Sequence, residues 1–80
     1  MDIGTAARER IINLCKAREI TVNKLSTICG LTQSTLNNIV SGRNKSVTLS
    51  TLKKICDGLD ITIQEFFDND VFYNLEQEIK

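Results

Sequence analysis

The chain has 80 residues, enough for one small hydrophobic core, and its ten basic and ten acidic side chains cancel to a formal net charge of zero. It has no histidine, and Cys15, Cys29 and Cys56 lie 14 and 27 residues apart, which excludes close-paired zinc spacings, while an odd count of thiols argues against a disulfide framework. No stretch approaches the roughly 20 apolar residues that cross a bilayer, and Met1-Asp2-Ile3-Gly4 lacks the pattern of a secretion signal.

These exclusions set the first expectations: a cytoplasmic chain, with the three cysteines as small core residues in a reducing compartment and with no metal or other cofactor. Enzymatic activity is not expected either. The chain has no glycine-rich phosphate loop and no room for a deep pocket, so no small-molecule ligand is expected, and Cys29 has no general base to activate it. The zero net charge conceals an uneven distribution. Residues 1–54 hold nine basic groups (Arg8, Arg10, Lys16, Arg18, Lys24, Arg43, Lys45, Lys53, Lys54) against three acids, a net +6, and residues 55–80 carry a net −6. Such a division points to a polyanion facing the first part of the chain.

The expected fold is all-α, a single domain over 1–80 with its core at 5–68 and an acidic segment at 69–80. Helix 1 is expected from about Thr5 to Arg18, because Ile11, Leu14, Cys15 and Arg18 share one face and Ile12 widens the apolar stripe. Helix 2 is expected over 22–29, capped by Thr21 and ended by Gly30, with Val22, Leu25, Ser26 and Cys29 inward and Ile28 adjoining. Helix 3 follows at once: Thr32 caps it, Leu36, Ile39 and Val40 face the core, and Gly42 stops it. The polar, aperiodic run Arg43-Asn44-Lys45-Ser46-Val47 reads as a loop.

Helix 4 is expected from Leu49 to Asp57, capped by Thr48 or Ser50, with Leu49, Leu52, Ile55 and Cys56 inside. Thr62-Ile63-Gln64-Glu65 forms a capping box that opens helix 5, which buries Ile63, Phe66 and Phe67. A sixth helix is expected after Asn69 or Asp70, from the near-helical spacing of Val71, Phe72, Leu75 and Ile79. An internal echo pairs Leu25-Ser26-Thr27-Ile28-Cys29-Gly30-Leu31 with Leu52-Lys53-Lys54-Ile55-Cys56-Asp57-Gly58-Leu59. Both read as a helix, a glycine stop and a buried leucine, which indicates shared turn chemistry rather than a true repeat.

The functional signal lies between Thr21 and Gly42. Two short helices joined through Gly30-Leu31 must cross sharply. That crossing needs a residue tolerant of positive φ at the turn, a small side chain where the helices approach, and an apolar peg in the corner. Gly30, Ser26 and Leu36 fill these places. The outward positions of helix 3 are then Gln33, Ser34, Asn37 and Asn38, with Thr35 at the margin, all uncharged. Amides of this kind bond bidentately to adenine, and hydroxyls can contact any base.

In these residues the chain resembles the phage repressor and Cro class of helix-turn-helix regulators, including its xenobiotic-response-element branch. The carrying positions are Leu14, Ile20-Thr21, Leu25-Ser26, Ile28, Gly30-Leu31-Thr32-Gln33-Ser34-Thr35-Leu36, Ile39, Ser41-Gly42, Thr48-Leu49, Leu52, Ile55-Cys56, Gly58-Leu59 and Phe66-Phe67. Together they span about residues 8–67. The resemblance implies a five-helix bundle whose recognition helix, Thr32 to Ser41, lies in the major groove of double-stranded DNA. The family's base-contacting positions fall on Gln33, Ser34, Asn37 and Asn38. Backbone contacts are expected from Asn23 at the helix 2 N-terminus, from Thr32 and Thr35, and from Arg43 and Lys45 in the loop; Lys24, Lys53 and Lys54 are weaker candidates.

Two departures stand out. Many members place glutamine, a phosphate ligand, at the first position of helix 2, where this chain has Val22. Several also bury an Arg–Glu pair between helices 1 and 3, at positions that match Cys15 and Val40 here. The resemblance implies a transcriptional regulator acting as a homodimer, with a repressor as the expected form and activator, phage control protein and antitoxin left open by the sequence. The competing reading is a protein-interaction module on the same fold, resting on the acidic C-terminal third and on a Val71-Leu75-Ile79 face that either packs on the core or receives a second subunit.

Overall fold

Every helix begins at a side-chain oxygen. In the computed structural model, which describes residues 1–79, α1 (Ile3–Ala17), α2 (Val22–Cys29), α3 (Gln33–Val40), α4 (Leu49–Gly58) and α5 (Ile63–Phe67) are followed by a single 3-10 turn, Asp70–Phe72. Asp2, Thr21, Thr32, Thr48 and Thr62 each stand in extended backbone and accept the amide of the residue three further on. Such caps satisfy donors that the first turn would otherwise leave unpaired. Asp2 takes the Thr5 amide at 2.7 Å, so α1 starts two residues earlier than its apolar periodicity indicates. The capping box of α5 closes in both directions, with Glu65 accepting the Thr62 amide at 3.0 Å.

Three helices end in one way. The amides of Ile20, Leu31 and Ile61 donate back to the carbonyls of Cys15, Ser26 and Cys56, each at 3.0 Å. The residue before each donor is left-handed: Glu19 at φ 56°, Gly30 at φ 69° and Asp60 at φ 57°. These are Schellman closures. The shared turn chemistry of the echo is therefore real, but its partner for Gly30 is Asp60. Gly58 is not a stop. It lies in the last turn of α4, where an added Cβ would stand 2.6 Å from Cys29 Sγ, so its missing side chain lets α4 approach α2.

Ile11, Leu25, Leu36, Ile39, Ile55, Leu59 and Phe66 form the fully buried centre, with Ala6, Ala7, Leu14 and Leu52 around it. The three cysteines are free and buried; burial raises all three thiols, Cys29 to about 11. Ser26, 2% exposed, is satisfied by donating to the Asn23 carbonyl at 2.7 Å.

Several inward assignments are corrected. Arg18 is the exposed C-cap of α1 and lies off its buried face. Leu49 is 81% exposed, because as the first residue of α4 it lies beyond the core, at the lip of an apolar groove shared with Ile3, Val47 and Phe67. Ile28, on the flank of α2, is 42% exposed.

The sixth helix reduces to the 3-10 turn. Asn69 accepts the Val71 amide at 3.0 Å, and Phe72 turns onto Phe66 and Phe67, with ring centroids 5.8 and 4.8 Å away. The Glu76 amide then donates to the Met1 carbonyl at 3.0 Å instead of to an intrahelical carbonyl, so the segment closes against the start of α1. Val71 and Leu75 are half-buried, while Ile79 is 87% exposed.

Candidate nucleic-acid interface

The sharp crossing of α2 and α3 is built as the residue types require. Gly30 takes φ 69°, ψ 27°, a left-handed conformation that costs glycine nothing. Leu36 on α3 and Ser26 on α2 are both fully buried. With Leu36 and Ile39 facing the core, helical geometry turns Gln33, Ser34 and Asn37 outward, and all three are exposed. Asn38 and Thr35 are half-buried at the flanks of this ridge.

The hydroxyls at the start of α3 are pre-arranged. Thr32 Oγ1 accepts the Thr35 amide at 3.1 Å and donates to Thr35 Oγ1 at 2.8 Å. Having accepted that proton, the Thr35 hydroxyl has its own left to donate outward. Asn23 is exposed in the first turn of α2, beyond the Thr21 cap, and its carbonyl accepts from Ser26 and Thr27. Val22, at the position where many members of the resembled class place glutamine, is half-buried and packs on the core.

The connector from Ser41 to Val47 is held firmly for a loop. Ser41 and Gly42 donate to the carbonyls of Asn37 and Ile39 at 2.9 and 3.1 Å, and Asn44 donates to the Asn38 carbonyl at 2.9 Å. Asn44 Oδ1 in turn accepts the Ser46 amide at 2.9 Å, an Asx turn. Arg43 and Lys45 project from this frame, both exposed. Arg43 Nη1 reaches Asn38 Oδ1 at 3.4 Å.

The basic surface is smaller than the charge count suggests. Arg10 donates to the carbonyls of Phe66 and Glu65 at 2.8 and 2.9 Å, stitching α1 to the end of α5, and its guanidinium lies 6.0 Å from the Phe66 ring centroid. Arg8 Nε donates to the Val40 carbonyl at 2.6 Å, and Lys53 pairs with Asp57 at 2.5 Å. A polar link between α1 and α3 thus exists after all, made by Arg8 and not from Cys15, against a backbone oxygen in place of a carboxylate. Sequence spacing carries no signal for such a bond, since its partners lie 32 residues apart. Lys16, Arg18, Lys24, Arg43, Lys45 and Lys54 remain exposed.

A bent helix pair carrying an exposed amide-and-hydroxyl ridge defines a helix-turn-helix DNA-binding class. Residues 10–69 match the family described as the Cro/C1-type HTH DNA-binding domain, and the chain belongs to that family. Among solved structures it is similar to the crystal structure of the prophage Lp1 protein 11, at 33% identity and a TM-score of 0.79, with 94% of this chain and 100% of that one covered. Among curated proteins, none matches.

Proposed function

We propose that this protein is a sequence-specific, double-stranded DNA-binding transcriptional repressor that works in the cytoplasm as a homodimer. Residues 1–80 act as one domain, with a core at 5–68 and the acidic segment 69–80 turned away from the duplex. Gln33, Ser34, Asn37 and Asn38 read base edges in the major groove. Asn23, Thr32, Thr35, Arg43 and Lys45 grip the phosphodiester backbone. Two copies meet half-sites one helical turn, about 34 Å, apart, and bound operator is denied to polymerase.

The observation that carries this reading is the character of the α3 ridge: Gln33, Ser34 and Asn37 are exposed and uncharged, beside a connector that projects Arg43 and Lys45. A helix face that only meets solvent more usually carries lysine and glutamate, whereas base edges present the donors and acceptors that these amides and the hydroxyl match. The rival reading, a protein-interaction module, rests on a Val71-Leu75-Ile79 helical face, and the segment forms a 3-10 turn with Val71 and Leu75 half-buried in place of that helix.

The test is binding to a duplex library across a salt series. Gln33→Ala is expected to flatten preference at one base pair at a cost of about 1–3 kcal/mol. Arg43→Ala is expected to weaken all sequences alike and to lower the salt slope by about one unit. If neither variant differs from wild type, the assigned surface is wrong.

A further inference from the structure

Two residues of α1, one turn apart and therefore on the same face, hold the two ends of the segment that carries Arg43. Arg8 Nε donates to the Val40 carbonyl at 2.6 Å, at the last residue of α3. Gly4 presses on the other end. A Cβ at that position would stand 2.9 Å from Lys45 Cβ and would collide with the Lys45 carbonyl oxygen. Between these anchors the chain turns through Gly42 at φ 86°, beside the Arg8 guanidinium.

We propose that Gly4 and Arg8 form a clamp on the Val40–Lys45 connector that sets where Arg43 and Lys45 meet the DNA backbone, without either clamp residue touching the duplex. Arg8 is a positioning residue in this arrangement. Its charge also faces the carbonyl end of α3, where a cation is favoured by the helix dipole. Gly4 contributes by having no side chain, which lets the backbone of α1 lie directly on the connector. The proposal rests on the DNA-binding reading above and explains why two basic side chains so near in the fold, Arg8 and Arg43, have opposite duties.

The test compares salt-series binding of wild type, Arg8→Gln, Arg8→Met, Gly4→Ala and Arg43→Ala, each at a temperature where circular dichroism shows it folded. Glutamine carries its amide nitrogen the same number of bonds from Cα as arginine carries Nε. Arg8→Gln therefore keeps the donor and drops the charge, and it is expected to bind with the wild-type slope. Arg8→Met and Gly4→Ala are expected to weaken binding about tenfold, the size of one lost charged contact, and to lower the slope by about one unit. Adding Arg43→Ala to either should then cost little more.

A slope lowered by one unit in Arg8→Gln would mean that Arg8 itself grips a phosphate, and the clamp is overturned. Folded Arg8→Met and Gly4→Ala proteins that bind as wild type overturn it too. Should Arg8→Met or Gly4→Ala fail to fold, Arg8→Gln and the other variant still decide. A wild type that binds no duplex removes the DNA reading and the clamp together, whereas a wild type that binds, with Arg43→Ala alone defective, removes only the clamp.

Discussion

Arg43 lies across the carbonyl end of the Asn38 amide, with Nη1 donating to Oδ1 at 3.4 Å. This contact is long and exposed, at the outer limit of a useful hydrogen bond. It occupies one of the two lone pairs of the Asn38 oxygen and holds a guanidinium beside the atom that bidentate reading of adenine also needs. On the proposed docking, Arg43 is expected to pass from Asn38 to a phosphate. Asn38→Ala should lose about 1–3 kcal/mol of discrimination at one base pair and keep the wild-type salt slope. Combined with Arg43→Ala, the two losses should add within about 0.5 kcal/mol. A large favourable coupling energy would mean that the two residues interact more strongly in the complex than in the free protein, which rules the handover out.

Gly58 and Cys29 make a second prediction, about stability. Alanine is the better helix former by about 1 kcal/mol, so Gly58→Ala ought to stabilise α4 if the helix stood alone. Here the new methyl would meet Cys29 Sγ at 2.6 Å and Ile28 Cγ2 at 3.1 Å, and overpacking of a tight contact costs about 1–3 kcal/mol. The clash wins, and denaturant melting of Gly58→Ala should show a net loss. Cys29→Ala opens the space that the methyl needs, so the double variant should be more stable than the sum of the two single effects. Additive losses would place the strain elsewhere.

Much of this fold was legible because its punctuation is local. Thr21, Thr32, Thr48 and Thr62 announce helix starts by residue type, and Gly30 announces the bend. Each signal is read within four residues. Gly58 carries the same letter as Gly30 yet serves an inter-helix contact, and nothing local separates the two uses. Arg8 and Arg10 were counted as surface charge because their partners are backbone carbonyls 32 and at least 55 residues away. Leu49 obeyed the helical period but stands on the first turn, past the edge of the core. The α3 ridge was legible because three positions, Leu36, Ile39 and Gly30, suffice to orient it.

The C-terminal segment supplies a third prediction. Helical periodicity groups Val71, Leu75 and Ile79, whereas the structure makes Phe72 the anchor and leaves Ile79 in solvent. Phe72→Ala should destabilise the protein by about 1–3 kcal/mol, less than the 3–5 typical of a fully buried ring because it is half-buried. Ile79→Ala should stay within about 0.5 kcal/mol of wild type. The reverse ranking in chemical denaturation would mean that the segment packs as a helix through Ile79.

Stability should also fall at both extremes of pH, for different reasons. The Asp2 and Glu65 carboxylates accept the backbone amides of Thr5 and Thr62, and these bonds hold both groups below their ordinary values. A carboxylate depressed in the folded state stabilises above its unfolded pKa, and that contribution disappears as pH falls through the folded pKa. The acid limb should thus begin below about pH 4, and Asp2→Asn with Glu65→Gln should flatten it. Cys29 is the opposite case. Burial, followed by the neighbouring thiols Cys15 and Cys56, pushes it from 9.0 to about 11. The folded state prefers the neutral thiol, so its advantage is intact below the unfolded pKa and declines as pH rises from about 9 toward 11. Burial raises Cys15 and Cys56 in the same direction, so Cys29→Ala should make the alkaline decline shallower without abolishing it. Denaturation midpoints measured from pH 8 to 11 give the comparison, and equal slopes for Cys29→Ala and wild type would remove the thiol as the cause.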